Sequence, residues 1–364
     1  MKTRVARVRD GMADAGIDGL LLSLGADLPW LTGYTAMPLE RLTMLVLPVD
    51  GPATLVVPVL EAPRVTPVPD LFGLRPWAED EDPIGIVAEL VASKRTLAIS
   101  DRSWARFVLA LQQRLPRAAW RPASDITGPL RAIKDDSERE ALARASAAAD
   151  RVAAQLLGGN IPLVGRTEAD VSADIGRRLV AEGHERVNFA IVGSGPNAAS
   201  PHHEAGSRVI VAGDPVVCDF GGTMAGYCSD ITRTVVAGGR APDPQFVELY
   251  NVLEEAQSAG VKAATVGTAC EDVDAAPRAI IAAAGYGEFF IHRTGHGIGL
   301  DEHEDPYLVA GNKTPLAPGH AFSVEPGIYL SGRYGARIED IVIATPSGPD
   351  CLNHVDRSLT VVDA

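Results

Sequence analysis

The 364-residue chain has few cysteines. Its four, Cys218, Cys228, Cys270 and Cys351, form no CxxC pair and match no zinc-ribbon or knuckle spacing. Disulfide scaffolds and small zinc modules are thereby excluded, and reduced, mostly buried thiols in a cytosolic protein are expected. Long apolar runs are also missing. LLLSLG at 20–25 is far too short to span a bilayer, and the basic start MKTRVARVRDGMADAG has no apolar segment of the kind a signal peptide needs. A cytoplasmic location is expected. Positive charge is in deficit, with 33 basic against 47 acidic residues and a net charge of −14. Such a surface repels polyanions, so neither nucleic acid nor an anionic membrane is an expected partner. No tandem repeat or low-complexity tract interrupts the chain. What remains is ordinary globular composition, 46% hydrophobic and 22% charged, at a length that suggests two domains.

The first part alternates helix-like and strand-like pieces. RVARVRDGMADAGI has helical spacing ending at Gly16, and DGLLLSL reads as a buried strand. TMLVLPVDGPATLVVPVL reads as two strands around the turn Asp50-Gly51, RTLAIS as a short strand and WARFVLALQQRL as an amphipathic helix. Proline and glycine are dense at 58–85, which predicts loops. This α/β unit ends near Ile126, and the charged break RAIKDDSERE follows. A domain boundary is expected there, giving domains 1–128 and 129–364. Asp136 or Ser137, supported by Glu140, can cap an alanine-rich helix that Gly158-Gly159 stops. A second helix is expected from Thr167 to Glu182. Strands are predicted at NFAIVGSG, SRVIVAG, PVVCDFGG and YCSDITRTVV, then helices at 244–264 and 271–284, then strands and glycine-rich turns to the end.

Residues 216–236, VVCDFGGTMAGYCSDITRTVV, set a chemical problem: two aspartates, Asp219 and Asp230, sit between apolar β-branched flanks. A hairpin turning through TMAG, centred between 224 and 225, would put them directly opposite, with Cβ atoms roughly 5 Å apart. Facing carboxylates repel, and burial multiplies the cost. Either one stays protonated, or a cation sits between them, or the hairpin is exposed and both reach water. A divalent ion is the economical answer, because hard cations favour carboxylate oxygens.

Other stretches share this character. HRTGHGIGLDEHEDP flanks His296 with glycines and carries His303 seven residues on, bordered by Glu302 and Glu304. FSVEPGIY ends an apolar strand in Glu325, and GARIEDIVIA sets Glu339 in a β run behind Arg337. Singly, each is as readily a satisfied core or turn residue. Together, two Asp, one His and two Glu suit a pair of divalent ions bridged by carboxylates and a hydroxide.

On these residues the chain resembles the pita-bread metallopeptidases, which include methionine aminopeptidase, aminopeptidase P and prolidase. The matching positions are Asp219 in CDFGG, Asp230 in CSDITRT, His296 in TGHGIG, Glu325 in VEPGIY and Glu339 in RIED, and the match spans about 130–364. GIDGLLLSLGADLPWLTGY resembles the opening of the extra N-terminal domain of the prolidase, aminopeptidase P and creatinase group. The resemblance implies an α/β N-terminal domain and an α+β pita-bread domain with a curved, mostly antiparallel sheet. It implies two divalent ions held by Asp219, Asp230, His296, Glu325 and Glu339; the family is often manganese- or cobalt-activated, and zinc or iron also suits the ligands. It implies a homodimer and a peptide substrate with proline second. The expected reaction is hydrolysis of the Xaa-Pro bond by a metal-bridging hydroxide, most simply by a dipeptidase. Xaa-Pro aminopeptidase, a related small-amide hydrolase and a non-catalytic scaffold of this fold are the alternatives.

Further roles follow from that resemblance. Glu325 takes the water proton beside its ligand role. His303 and His202, the latter in SPHHEAG, are expected to serve the oxyanion and the substrate backbone. His203 is its less certain neighbour, and on a strand only one of the two would enter the site. Arg337 shares a strand face with Glu339 and would orient a carboxylate ligand or bind the substrate carboxylate. Asp340 points the other way, and the Tyr227 hydroxyl is a candidate partner for Asp230 or substrate.

Overall fold

The computed structural model describes residues 1–362 and divides into two units, Met1–Arg131 and Ala132–Ala364. In the first, helix Lys2–Ala15 buries Val5, Val8 and Met12 on one face and ends at Gly16 with φ 66°, a left-handed cap that glycine adopts without strain. Six strands make one sheet in the order Phe72–Trp77, Ala53–Pro58, Met44–Pro48, Gly19–Leu22, Thr96–Ile99, Ala119–Pro122. Gly19–Leu22 is wholly buried and pairs antiparallel to Met44–Pro48 and parallel to Thr96–Ile99. Leu21, Val46, Val56, Leu97, Phe107 and Leu111 share its core.

The segment 58–85, expected as loops, holds strand Phe72–Trp77 and the start of helix Pro83–Leu90. Pro76 is tolerated because that strand lies at the sheet edge, where a missing N–H breaks no ladder. Asp82 caps the helix by accepting from the Ile84 and Gly85 amides, with proline at the first helical position. Proline and glycine density therefore marked element ends as well as loops.

In the second unit, helix Asp136–Leu157 is capped by Asp135 in a reciprocal box with Glu138, one residue before the expected Asp136 or Ser137. Helix Glu168–Ala181 starts from Thr167 as its N-cap. Both pack on a sheet ordered Val361–Val362, Ile231–Ala237, Pro215–Met224, Arg186–Ser194, with Tyr227–Cys228 also paired to Pro215–Met224. A second sheet runs Glu304–Leu308, Gly295–Gly297, Ala321–Val324, Asp340–Thr345, Gly348–Cys351, all antiparallel. Helices Pro244–Ala263 and Cys270–Ala283 supply apolar residues to the cores of this half. SRVIVAG, expected as a strand, makes only an isolated pairing of Val209 with Thr167. Val209 and Val211 are exposed while Ile210 is buried, so the segment alternates like a strand yet joins no sheet among the described residues.

The hairpin turns one residue later than expected. Ala225 and Gly226 both have positive φ, 50° and 82°, as a tight two-residue turn requires, and Met224 pairs with Tyr227. Asp219 therefore faces Thr232, and not Asp230. A shift of two in partner keeps the face, whereas a shift of one would reverse it, so Asp219 and Asp230 remain diagonal neighbours. The two sheets meet where Thr232 bridges to Glu339.

Candidate active site

At that junction the second unit encloses a cavity of about 790 Å³, lined among others by His202, Asp219, Asp230, Arg293, His296, His303, Glu325, Arg337 and Glu339. Asp219 comes from the middle of strand Pro215–Met224, and Asp230 from the break just before Ile231–Ala237. His296 is the central residue of Gly295–Gly297, Glu325 follows Ala321–Val324, and Glu339 precedes Asp340–Thr345. The glycines beside His296 are sterically required. A Cβ at Gly295 would lie 1.9 Å from the Ser323 carbonyl oxygen, and one at Gly297 would lie 2.1 Å from that of Asp305.

Ligand atoms of Asp230, His296 and Glu339 all lie within 4.8 Å of one another. His296 Nε2 is 3.3 Å from Glu325 Oε1 and 3.8 Å from Asp230 Oδ2. The acids are held in place by their surroundings. Arg337 donates to Asp219 Oδ2 at 2.6 Å, and Thr232 Oγ1 donates to Glu339 Oε2 at 2.7 Å. Ser323 Oγ accepts from the His296 amide and donates to Glu325 Oε1. Yet Asp219 Oδ1 and Asp230 Oδ1 are buried with no hydrogen-bond partner among the described residues.

Burial, then the charges of Glu339, Asp219 and Glu325, pushes the Asp230 carboxyl well above the usual range. Burial, then Glu325 and Asp219, does the same to Glu339. Burial lifts Glu325 to about 7. His296 is pushed down to about 3, by burial first and neighbouring His303 next, so its imidazole is neutral and free to act as a ligand. At Asp230, Glu325 and Glu339 burial and neighbouring acids thus outweigh what support nearby groups give to ionisation.

His202 and His303 stand at the open side of the cavity, and the His303 ring lies 3.8 Å from that of His296, centroid to centroid. His202 occupies a turn, not a strand, and His203 leaves the cavity to bond Glu168 at 2.7 Å. Tyr227 is elsewhere, an odd three residues along the chain from Asp230 and so on the other face: its hydroxyl donates to Glu138 Oε1 at 2.9 Å. Arg337 serves Asp219 and leaves Glu339 to Thr232. Three more of its N–H groups go to Tyr329, Thr232 and the Pro201 carbonyl, so four of its five are used and it has no two-pronged fork to offer a substrate. Asp340 points away, accepting from Arg233, Gln257 and Arg357.

Sequence reasoning passed over His292, Arg293 and Tyr329. His292 and Tyr329 bond each other at 2.9 Å, and Arg293 lies 4.4 Å over the Tyr307 ring and 3.4 Å from His303 Nδ1. The signal for Arg293 was its place in the same glycine turn as His296.

Comparison with known proteins agrees with this geometry. Residues 4–133 match the Creatinase/Prolidase N-terminal domain, and residues 137–346 match Metallopeptidase family M24. The chain is 47% identical over 365 residues to "Probable dipeptidase PepE" of Mycobacterium tuberculosis, covering 99% of this chain and 96% of that protein. It is 34% identical over 368 residues to "Xaa-Pro dipeptidase" of Lactobacillus helveticus, covering 98% of each. The crystal structure of dipeptidase PepE from Mycobacterium ulcerans superposes with a TM-score of 0.91 at 44% identity, covering 100% of this chain and 98% of that one. With a creatinase/prolidase-type N-terminal part, the pita-bread fold and a buried acid–histidine pocket, the chain belongs to metallopeptidase family M24.

Proposed function

We propose that the protein is an Xaa-Pro dipeptidase with two divalent ions, preferably manganese, held by Asp219, Asp230, His296, Glu325 and Glu339. The observation that carries this reading is the pair of buried oxygens, Asp219 Oδ1 and Asp230 Oδ1, with no hydrogen-bond partner among the described residues, inside a cluster of four acids and one neutral imidazole. Oxygen-rich donors with a single nitrogen fit manganese, cobalt, iron or zinc, and cations there would offset the mutual repulsion of the acids. All five residues belong to the proposed catalytic domain, 129–364. A cytoplasmic setting suits the four free cysteines, and a homodimer is the assembly we adopt from the family resemblance.

The ions would supply an acidified water and a polarised scissile carbonyl. The chain's own groups do the rest. Glu325 accepts the water proton on its carboxylate and passes it to the departing prolyl nitrogen, which as part of a tertiary amide carries no hydrogen of its own. His303 and His202 donate to the oxygen on which charge develops and to the substrate backbone. Arg337 holds Asp219 in orientation, and Thr232 does the same for Glu339. With four of Arg337's N–H groups engaged, Arg293 is the cation of the cavity lining better placed to face a free carboxylate, which favours a dipeptide, whose second residue carries that group.

The test is a paired assay, with manganese added, on Ala-Pro and on a longer peptide beginning Ala-Pro. Turnover of Ala-Pro alone is expected. Preference for the longer peptide would replace the dipeptidase reading with an aminopeptidase one, and turnover of neither would end both.

A further inference from the structure

Glu168 has no contact with the cavity, yet it is completely buried at the first position of helix Glu168–Ala181. A carboxylate taken out of water is costly unless donors surround it. Here they do. Oε1 accepts from the Ser194 amide at 2.8 Å, the Ser194 hydroxyl at 2.7 Å and Asn197 Nδ2 at 3.1 Å. Oε2 accepts from Asn197 Nδ2 at 3.1 Å, His203 Nε2 at 2.7 Å and the Gly206 amide at 3.4 Å. Burial works against ionisation, but the bonds from Ser194 and His203 outweigh it and hold this carboxyl below its usual range.

These donors come from three consecutive pieces of chain: the end of strand Arg186–Ser194, the short helix Gly195–Ala199, and the loop after it. The loop between the second and third anchors is a turn, closed by the Ser200 amide on Asn197 O and the His203 amide on Ser200 O. His202 sits in that turn and faces the cavity, while His203 faces Glu168. From the cavity side, Arg337 holds the Pro201 carbonyl at 3.4 Å. The turn carrying His202 is thus gripped from behind by one buried anion and from the front by the arginine that orients Asp219.

We propose that Glu168, acting through His203, is a positioning residue for His202 in the peptidase reaction. The inference rests on the reading that His202 serves that reaction. It assigns His203 a structural duty beside a reactive neighbour, and gives a reason for burying a carboxylate that touches nothing reactive.

The experiment measures kcat and KM on Ala-Pro with manganese for the wild-type protein, His202→Ala, His203→Ala, His203→Gln and the His202→Ala/His203→Ala double variant, with bound metal and thermal midpoint recorded for each. His203→Ala is expected to lower kcat/KM about 10-fold at unchanged metal content, as loss of a supporting partner does. His203→Gln, which can still present an N–H to Glu168, should recover most of that loss. In the His202→Ala background, His203→Ala should cost less than about twofold, since residues acting through one another are not additive. Equal losses in both backgrounds, or a His203→Ala enzyme as active as wild type, overturn the positioning role. Unimpaired activity of His202→Ala would instead overturn the reading of His202 on which the role rests.

Discussion

Asp230 concentrates the site's physical conflict in one side chain. It is buried, one of its oxygens has no partner among the described residues, and three neighbouring acids oppose its ionisation. Asp230→Asn removes one charge and one donor while keeping shape. Metal analysis of the purified variant should show about one ion fewer per chain than wild type, and Ala-Pro turnover should fall by about 100-fold or more with the fold intact. Wild-type metal content and rate in the Asp230→Asn protein would contradict the ligand assignment. Residues such as this were legible as a set: any one carboxylate or histidine in an apolar β run beside glycine could be a core or turn residue, but four acids and a histidine so placed pointed to cations together. Arg293 and Tyr329 were not, because an arginine or a buried tyrosine in that setting is equally an ion-pair or packing residue until its neighbours are known.

At the scale of elements, the closest tolerances lie around strand Gly295–Gly297. Its residues contact the neighbouring strands backbone to backbone, leaving no room for a methyl group. Gly297→Ala would force the Asp305 carbonyl aside, at a cost of about 1–3 kcal/mol. Denaturant titration should show a lower midpoint, and activity should fall more than stability because His296 moves with the strand. A midpoint and rate equal to wild type would mean the strands are slacker than drawn. The hairpin before it shows how far pattern reading reaches. Its strands, its turn chemistry and the face shared by Asp219 and Asp230 were in the sequence. The pairing partner was not, because TMAG offers two neighbouring places to turn and only the positive φ of Ala225 and Gly226 selects one. SRVIVAG failed for a different reason: alternation is a local property, and a strand also needs a free sheet edge.

For the whole molecule, buried histidines outside the acid cluster make a contribution to stability that acid should remove. Burial, as the leading cause in each, lowers His184 below its ordinary value and pushes His292 and His320 down to about 4. Each stays neutral in the fold while the unfolded chain's histidines take up protons from about pH 6.5 downward. Between about pH 6.5 and 4 these three positions therefore bind more protons in the unfolded state, so the stability they contribute is fully present above that window and declines through it. Thermal midpoints recorded across the window, wild type against variants at these histidines, should read that contribution. His320→Asn, which can still accept from the Ala317 amide, should flatten the slope, since His320 is buried outside the cavity lining. An unchanged slope would show that His320 ionises freely in the native protein.

The junction of the two sheets has a consequence of its own. Its main-chain link is the Glu339 amide on the Thr232 carbonyl, at 3.2 Å, next to the side-chain bond between the same two residues. That N–H is a natural gauge of occupancy, because an ion drawing Asp230 and Glu339 together would clamp the contact it belongs to. Deuterium uptake at Glu339 should slow on adding manganese to chelator-treated protein, by up to about 100-fold at a hundred times the dissociation constant. Amides of the first unit's sheet, Gly19–Leu22 included, should keep their rates.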